Sequence, residues 1–169
     1  MNDAKTTEVL TDTGGLPLGD AHYMAVALRV AEQARALGEV PIGAVVVRDG
    51  VILATSGNVR ETEQDPTGHA ELVAIRKAAQ NLQSWRLDGC TVYVTLEPCA
   101  MCAGAMVLAR IHRCVYGCTD PKGGFLGTLG DLSQWPKLNH QFEVTAGVSE
   151  EACRALLQSF FRELRASKQ

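Results

Sequence analysis

Two short segments of the chain bring together residue types that hold a metal ion and move a proton: His69-Ala70-Glu71 and Pro98-Cys99-Ala100-Met101-Cys102. One imidazole and two thiolates give three protein ligands and leave a fourth position for water, which is the ligand count of a catalytic zinc. The spacing of Cys99-x-x-Cys102 lets both sulfurs converge on one ion. Each segment reads as a helix start, where unpaired N–H groups lower thiol pKa values and favour the metal-binding thiolate. On a helix, Glu71 would leave at about 200° from His69. It is therefore expected beside the metal as a proton shuttle, and not as a fourth ligand. A zinc ion brings the pKa of its water down to about 7, a value at which a neighbouring carboxylate can take the proton and pass it on.

Taken singly, these residues admit plainer readings. His69 reads as a hydrogen-bonded surface residue, Glu71 as a solvated first-turn acid, and a lone Cys-x-x-Cys as a redox or structural pair. A sharper alternative is a non-enzymatic structural zinc module with four cysteine ligands, because Cys99-x-x-Cys102 is followed by Cys114-x-x-x-Cys118. Against it, residues 103–109 read as a buried helix, and Cys114 and Cys118 as core residues at even spacing on a strand. Cys90 and Cys153 are read as small buried apolar residues.

The elements that must position these groups follow from periodicity. A first helix is expected from Asp20, taken as its cap, to Gly38, with Met24, Ala27, Leu28 and Ala31 on its inner face. Residues 42–47 and 51–54 are β-rich runs around Asp49-Gly50, a strong hairpin signal. A second helix fits 69–82, with Leu72, Ile75, Ala79 and Leu82 as its apolar stripe, and a strand follows at 91–96. Pro98 suits the first turn of a third helix running to about Arg110. Residues 113–117 and 142–146 read as strands. A closing helix from Ser149 carries Glu150 and Glu151 in its first turn and a stripe of Cys153, Leu157, Phe160 and Leu164. Strands separated by helices imply an α/β protein: one sheet of about five strands, mixed because of the hairpin, with helices on both faces.

The 169 residues, 46% apolar and 21% charged, suit one domain with a proper core, expected to span 20–169 behind a mobile lead-in at 1–19. No apolar run approaches the ~18 residues of a membrane span, and the first residues lack a secretory signal pattern. The expectation is a cytoplasmic protein with no membrane partner, whose six cysteines are not a disulfide framework. Residues 1–20 account for the whole net charge of -3. Any nucleic-acid binding must then come from a local patch.

Combined, the motifs resemble the zinc-dependent cytidine and purine deaminase superfamily, with its His-x-Glu and Pro-Cys-x-x-Cys pattern. Within it they are most similar to the bacterial tRNA-specific adenosine deaminases. The resemblance covers residues 20–165 and rests on residues 39–44, Asn58, Asp65-Pro66-Thr67-Gly68-His69-Ala70-Glu71, residues 95–105 and Leu138-Asn139-His140. It implies the three-layer α/β/α cytidine-deaminase-like fold and one catalytic Zn2+ per subunit on His69, Cys99 and Cys102. It also implies Glu71 as the proton shuttle, Asn58 as a contact to the base, a homodimer, and conversion of the wobble adenosine in a tRNA anticodon loop to inosine. A deaminase of free nucleosides or bases, such as cytidine or guanine, would share every metal residue.

An unstacked RNA loop would need cations near the mouth of the site, and Lys122, Arg162, Arg165 and Lys168 are candidates beside the plainer reading of a solvated helix face. Phe161 is a candidate to stack on a base, with core packing the safer expectation. Two departures from the family pattern stand out. Gly68 replaces a more usual alanine, a change expected to be silent, and the 122–127 loop is bulkier and more apolar than the family's.

Overall fold

The computed structural model describes residues 18–169; the expected lead-in therefore falls, except for its last two residues, outside the described part. Helix α1 spans Asp20–Ala36. Strands β1 (Gly43–Arg48) and β2 (Val51–Gly57) form an antiparallel hairpin. Asp49 and Gly50 at its turn both have positive φ, 52° and 75°, as a tight turn matching the twist of its strands requires. A four-residue helix α2 (Arg60–Glu63), not anticipated from periodicity, precedes α3 (Ala70–Leu82). Strand β3 (Thr91–Leu96), helix α4 (Ala100–Ala109), strands β4 (Arg113–Cys118) and β5 (Glu143–Thr145), and helix α5 (Glu150–Ala166) complete the chain.

The sheet order is β2-β1-β3-β4-β5. β1 is antiparallel to both neighbours, and β3, β4 and β5 are mutually parallel. The mixed five-stranded sheet expected from the sequence is thus present. Side chains alternate across it with the strand period of two: Ala44, Val46, Val92 and Val94 pack with Ala74, Ile75, Ala78 and Met106 of α3 and α4. On the other face Val45, Val47, Tyr93 and Val115 pack with Tyr23, Met24 and Ala27 of α1 and with Cys153 of α5. Three layers result.

Several details differ from the periodic reading. Asp20 does not cap α1. Gly19 is the cap residue, and the Asp20 carboxylate instead accepts from both Arg113 guanidinium nitrogens, at 2.9 and 2.7 Å, and from the Tyr93 hydroxyl. The buried face of α3 is Ala70, Glu71, Ala74, Ile75 and Ala78, with Leu72 only half-buried; the alanines let this helix lie close on the sheet. Pro98 lies ahead of the α4 cap, Cys99, and not in the first turn. On α5, Cys153 and Leu156 are buried, but Leu164 is 39% exposed because the helix outruns the sheet. Cys114 and Cys118 pack in opposite layers, a placement that denies the four-cysteine module its ligand set.

Candidate metal centre and active site

The starts of α3 and α4 are built alike. His69 and Cys99 are their N-cap residues, both with extended backbone (φ -79°, ψ 144° and φ -74°, ψ 174°), and neither side chain caps its own helix. Each side chain is thereby free to project across the helix mouth, and Cys102 joins them from the first turn of α4. His69 Nδ1 stands 3.5 Å from Cys99 Sγ and 3.6 Å from Cys102 Sγ. The three ligand atoms lie within 4.8 Å of one another, the only such group of three among the described residues.

That donor set fits a tetrahedral zinc. Ligands at about 2.3 Å (sulfur) and about 2.0 Å (nitrogen) from a shared ion stand about 3.5 Å apart at tetrahedral angles. The electrostatics agree with the geometry. Hydrogen bonding from Cys102 pulls the Cys99 thiol down to about 4, with His69 adding to the effect. The same sharing pushes Cys102 upward, and the Cys99 sulfur raises the His69 imidazole.

Glu71 is 4% exposed, and it is not one of the three grouped donors. Burial pushes its carboxyl up to about 7, opposed by the nearby His69. A carboxyl so tuned gains and loses a proton readily at neutral pH. Asn58, also buried, accepts the Ala70 N–H through Oδ1 at 2.9 Å and so fixes the start of α3 from outside the helix. Its Nδ2 has no protein partner among the described residues. Beside the ligand, Gly68 is enclosed: an added Cβ would press on Val59 and approach two backbone atoms at 3.1 and 3.2 Å.

Four of the five candidate RNA residues, Lys122, Phe161, Arg162 and Arg165, line one groove of about 950 Å³ between α5 and the carboxyl ends of β3 and β4. Lys168 does not line it. Phe161 is 40% exposed there, edge-on to Phe160, so it is not the core residue that was the safer expectation. Arg154 was missed from the sequence; it lines the same groove while paired with Glu150 and Glu151. Only the fold turns this face of α5 toward the groove.

The chain matches the family model of MafB19-like deaminases over residues 19–165. It is 54% identical over 149 residues to a tRNA-specific adenosine deaminase of Bacillus subtilis, covering 88% of this chain and 92% of the relative. A tRNA-specific adenosine deaminase of Haemophilus influenzae is 45% identical over 150 residues, covering 88% and 87%. Among solved structures, a chain from studies of A-to-I editing by tRNA:A34 deaminases superposes with a TM-score of 0.78 at 44% identity. That superposition covers 80% of this chain and 99% of the other.

Proposed function

Because the chain belongs to the tRNA-specific adenosine deaminases, we propose that it hydrolyses the wobble adenosine of a tRNA anticodon loop to inosine, with zinc held by His69, Cys99 and Cys102. The convergence of those three donors beside a buried Glu71 carries the deaminase chemistry, and the similarity to tRNA-specific adenosine deaminases over most of the chain supports tRNA as the substrate.

The reaction exchanges an amine for an oxygen. Water adds to C6 of the purine, the C6–N6 bond breaks, and ammonia leaves. When bound, zinc supplies water that is acidic enough to act as a nucleophile at neutral pH. Glu71 takes the proton released from the attacking water and gives it to the ring nitrogen N1; it then takes the proton of the new C6 hydroxyl and passes it to the departing amine, so that the C6 carbonyl forms as ammonia leaves. Its buried position keeps that proton from bulk solvent. Asn58, held by its Oδ1 bond to Ala70, has its Nδ2 available to donate to the base. Lys122, Arg162 and Arg165 would meet phosphates along the groove, and Phe161 offers a face or edge to an unstacked base.

A homodimer is supported by α4. Its sequence is apolar almost throughout, yet Leu108 is 69% exposed and Met101, Gly104 and Ala105 are only partly covered, in one stripe at helical spacing. A helix apolar on all sides calls for a cover on each of them. Among the described residues no helix is long and apolar enough to cross a membrane.

Presenting the zinc-loaded protein with a tRNA anticodon stem-loop, free adenosine, free cytidine and free guanine tests the assignment. Inosine formed in the stem-loop is expected. Deamination of the free compounds alone would overturn the tRNA assignment.

A further inference from the structure

Glu97 is 1% exposed and lies outside the metal group. A carboxylate at that depth must be met by donors, and every donor it finds comes from one stretch of chain. Oε1 accepts the Asp120 N–H at 3.4 Å and the Thr128 hydroxyl. Oε2 accepts the N–H groups of Leu126 and Thr128, each at 3.2 Å. Gly124 passes so close that an added Cβ would overlap the carboxylate.

The stretch that Glu97 gathers runs from the groove beside α5 to the metal group. Its first residues, Asp120 and Lys122, line the basic groove. Farther on, Phe125 N–H donates to the Pro98 carbonyl at 2.9 Å, and Gly124 pairs with Cys99 as an isolated antiparallel bridge. Beyond that the chain turns back on itself, with Gly127 N–H bonded to Gly130 O and Leu126 bridged to Asp131. One buried side chain therefore bonds the segment on both sides of its contact with Cys99: at Asp120, beside the groove, and at Leu126 and Thr128, just beyond that contact.

We propose that Glu97 is a positioning residue, whose carboxylate locks residues 120–128 in the conformation that presents the groove and the Cys99 side of the metal group to one RNA. It touches neither substrate nor metal in this role. The kinetic half of the inference rests on the tRNA deaminase reading; the ordering of the segment does not.

Thr128→Val is the decisive variant, because it deletes one bond to Glu97 from an exposed residue and leaves the core untouched. Glu97→Gln is the second, since its amide nitrogen would face N–H donors. In the zinc-loaded protein, Thr128→Val is expected to raise KM for the anticodon stem-loop about tenfold, the loss of one charge-assisted bond, with kcat within about twofold. Thr128→Ser, which returns a hydroxyl, should restore KM. Without RNA, amide exchange at Leu126 and Thr128 should quicken about tenfold or more in both destabilised variants while β3 and β4 keep their protection. Unchanged exchange at those two amides would overturn the proposal, and so would quickened exchange with an unchanged KM. A wild-type protein inactive on the stem-loop would instead refute the tRNA reading, and the exchange measurement would still decide whether Glu97 orders the segment.

Discussion

At the scale of single residues, the chemistry depends on environments more than on residue types. The spacing marks Glu71 as the proton shuttle, but only burial pushes its carboxyl up to about 7. Glu71→Gln preserves the shape and the metal donors, so we expect kcat to fall by a factor on the order of 10² to 10⁴ while zinc remains near one ion per chain by elemental analysis. Substantial turnover in that variant would remove Glu71 from the proton pathway. His69 and Cys99 owe their convergence to being cap residues with extended backbone; the spacing within each motif was legible, but the 3.5 Å approach across 30 positions was not. Gly68 shows the limit of reading by family pattern. A methyl group expected to be silent there would meet backbone atoms at 3.1 and 3.2 Å, and Gly68→Ala should cost about 1 kcal/mol or more of stability in denaturant titration.

At the scale of elements, helix and strand identities followed from periodicity, and so did most of the face that α1 buries, whereas the face of α3 followed only in part. Of the stripe expected on α3, Ile75 is buried and Ala79 and Leu82 pack against the core, but Leu72 is only half-buried, and the sheet takes Ala70, Ala74 and Ala78 because close approach rewards small side chains. The fastening of α1 also differs from the periodic reading. Asp20 looked like a helix cap, but it ties α1 to β3 and β4 through Tyr93 and Arg113, and Arg113 in turn bonds Thr145 of β5. Hydrogen bonding from Arg113 holds the Asp20 carboxyl below its usual value, against the effect of burial. A carboxylate whose pKa falls on folding stabilises the fold above its unfolded value, near 3.9, and this contribution disappears as pH drops through the lower folded value. Asp20→Asn should therefore be less stable than the wild type at pH 7, with the gap in urea midpoint closing below about pH 4. A gap independent of pH would mean that the charge of Asp20 does not matter.

At the scale of the whole molecule, two surfaces invite partners of different kinds. The groove under α5 collects Lys122, Arg154, Arg162 and Arg165 on a chain whose net charge is -3, so its field is local. Replacing Arg162 and Arg165 by alanine should weaken stem-loop binding and reduce the slope of log affinity against log salt by about 0.7 for each lost phosphate contact. An unaltered slope would place the RNA elsewhere. On the opposite layer, Leu108→Glu should shift the protein toward monomers in sedimentation if α4 is the covered face. The sequence by itself determined the element types, the hairpin and the ligand types, because these depend on local periodicity, turn chemistry and short spacings. Tertiary structure alone decided how closely His69 approaches the two cysteines, which acid is buried deeply enough to titrate near neutrality, and how Glu97 reaches residues 120–128. Those outcomes depend on which distant segments the sheet order β2-β1-β3-β4-β5 places side by side, and burial and charge act through that proximity and not through separation along the chain.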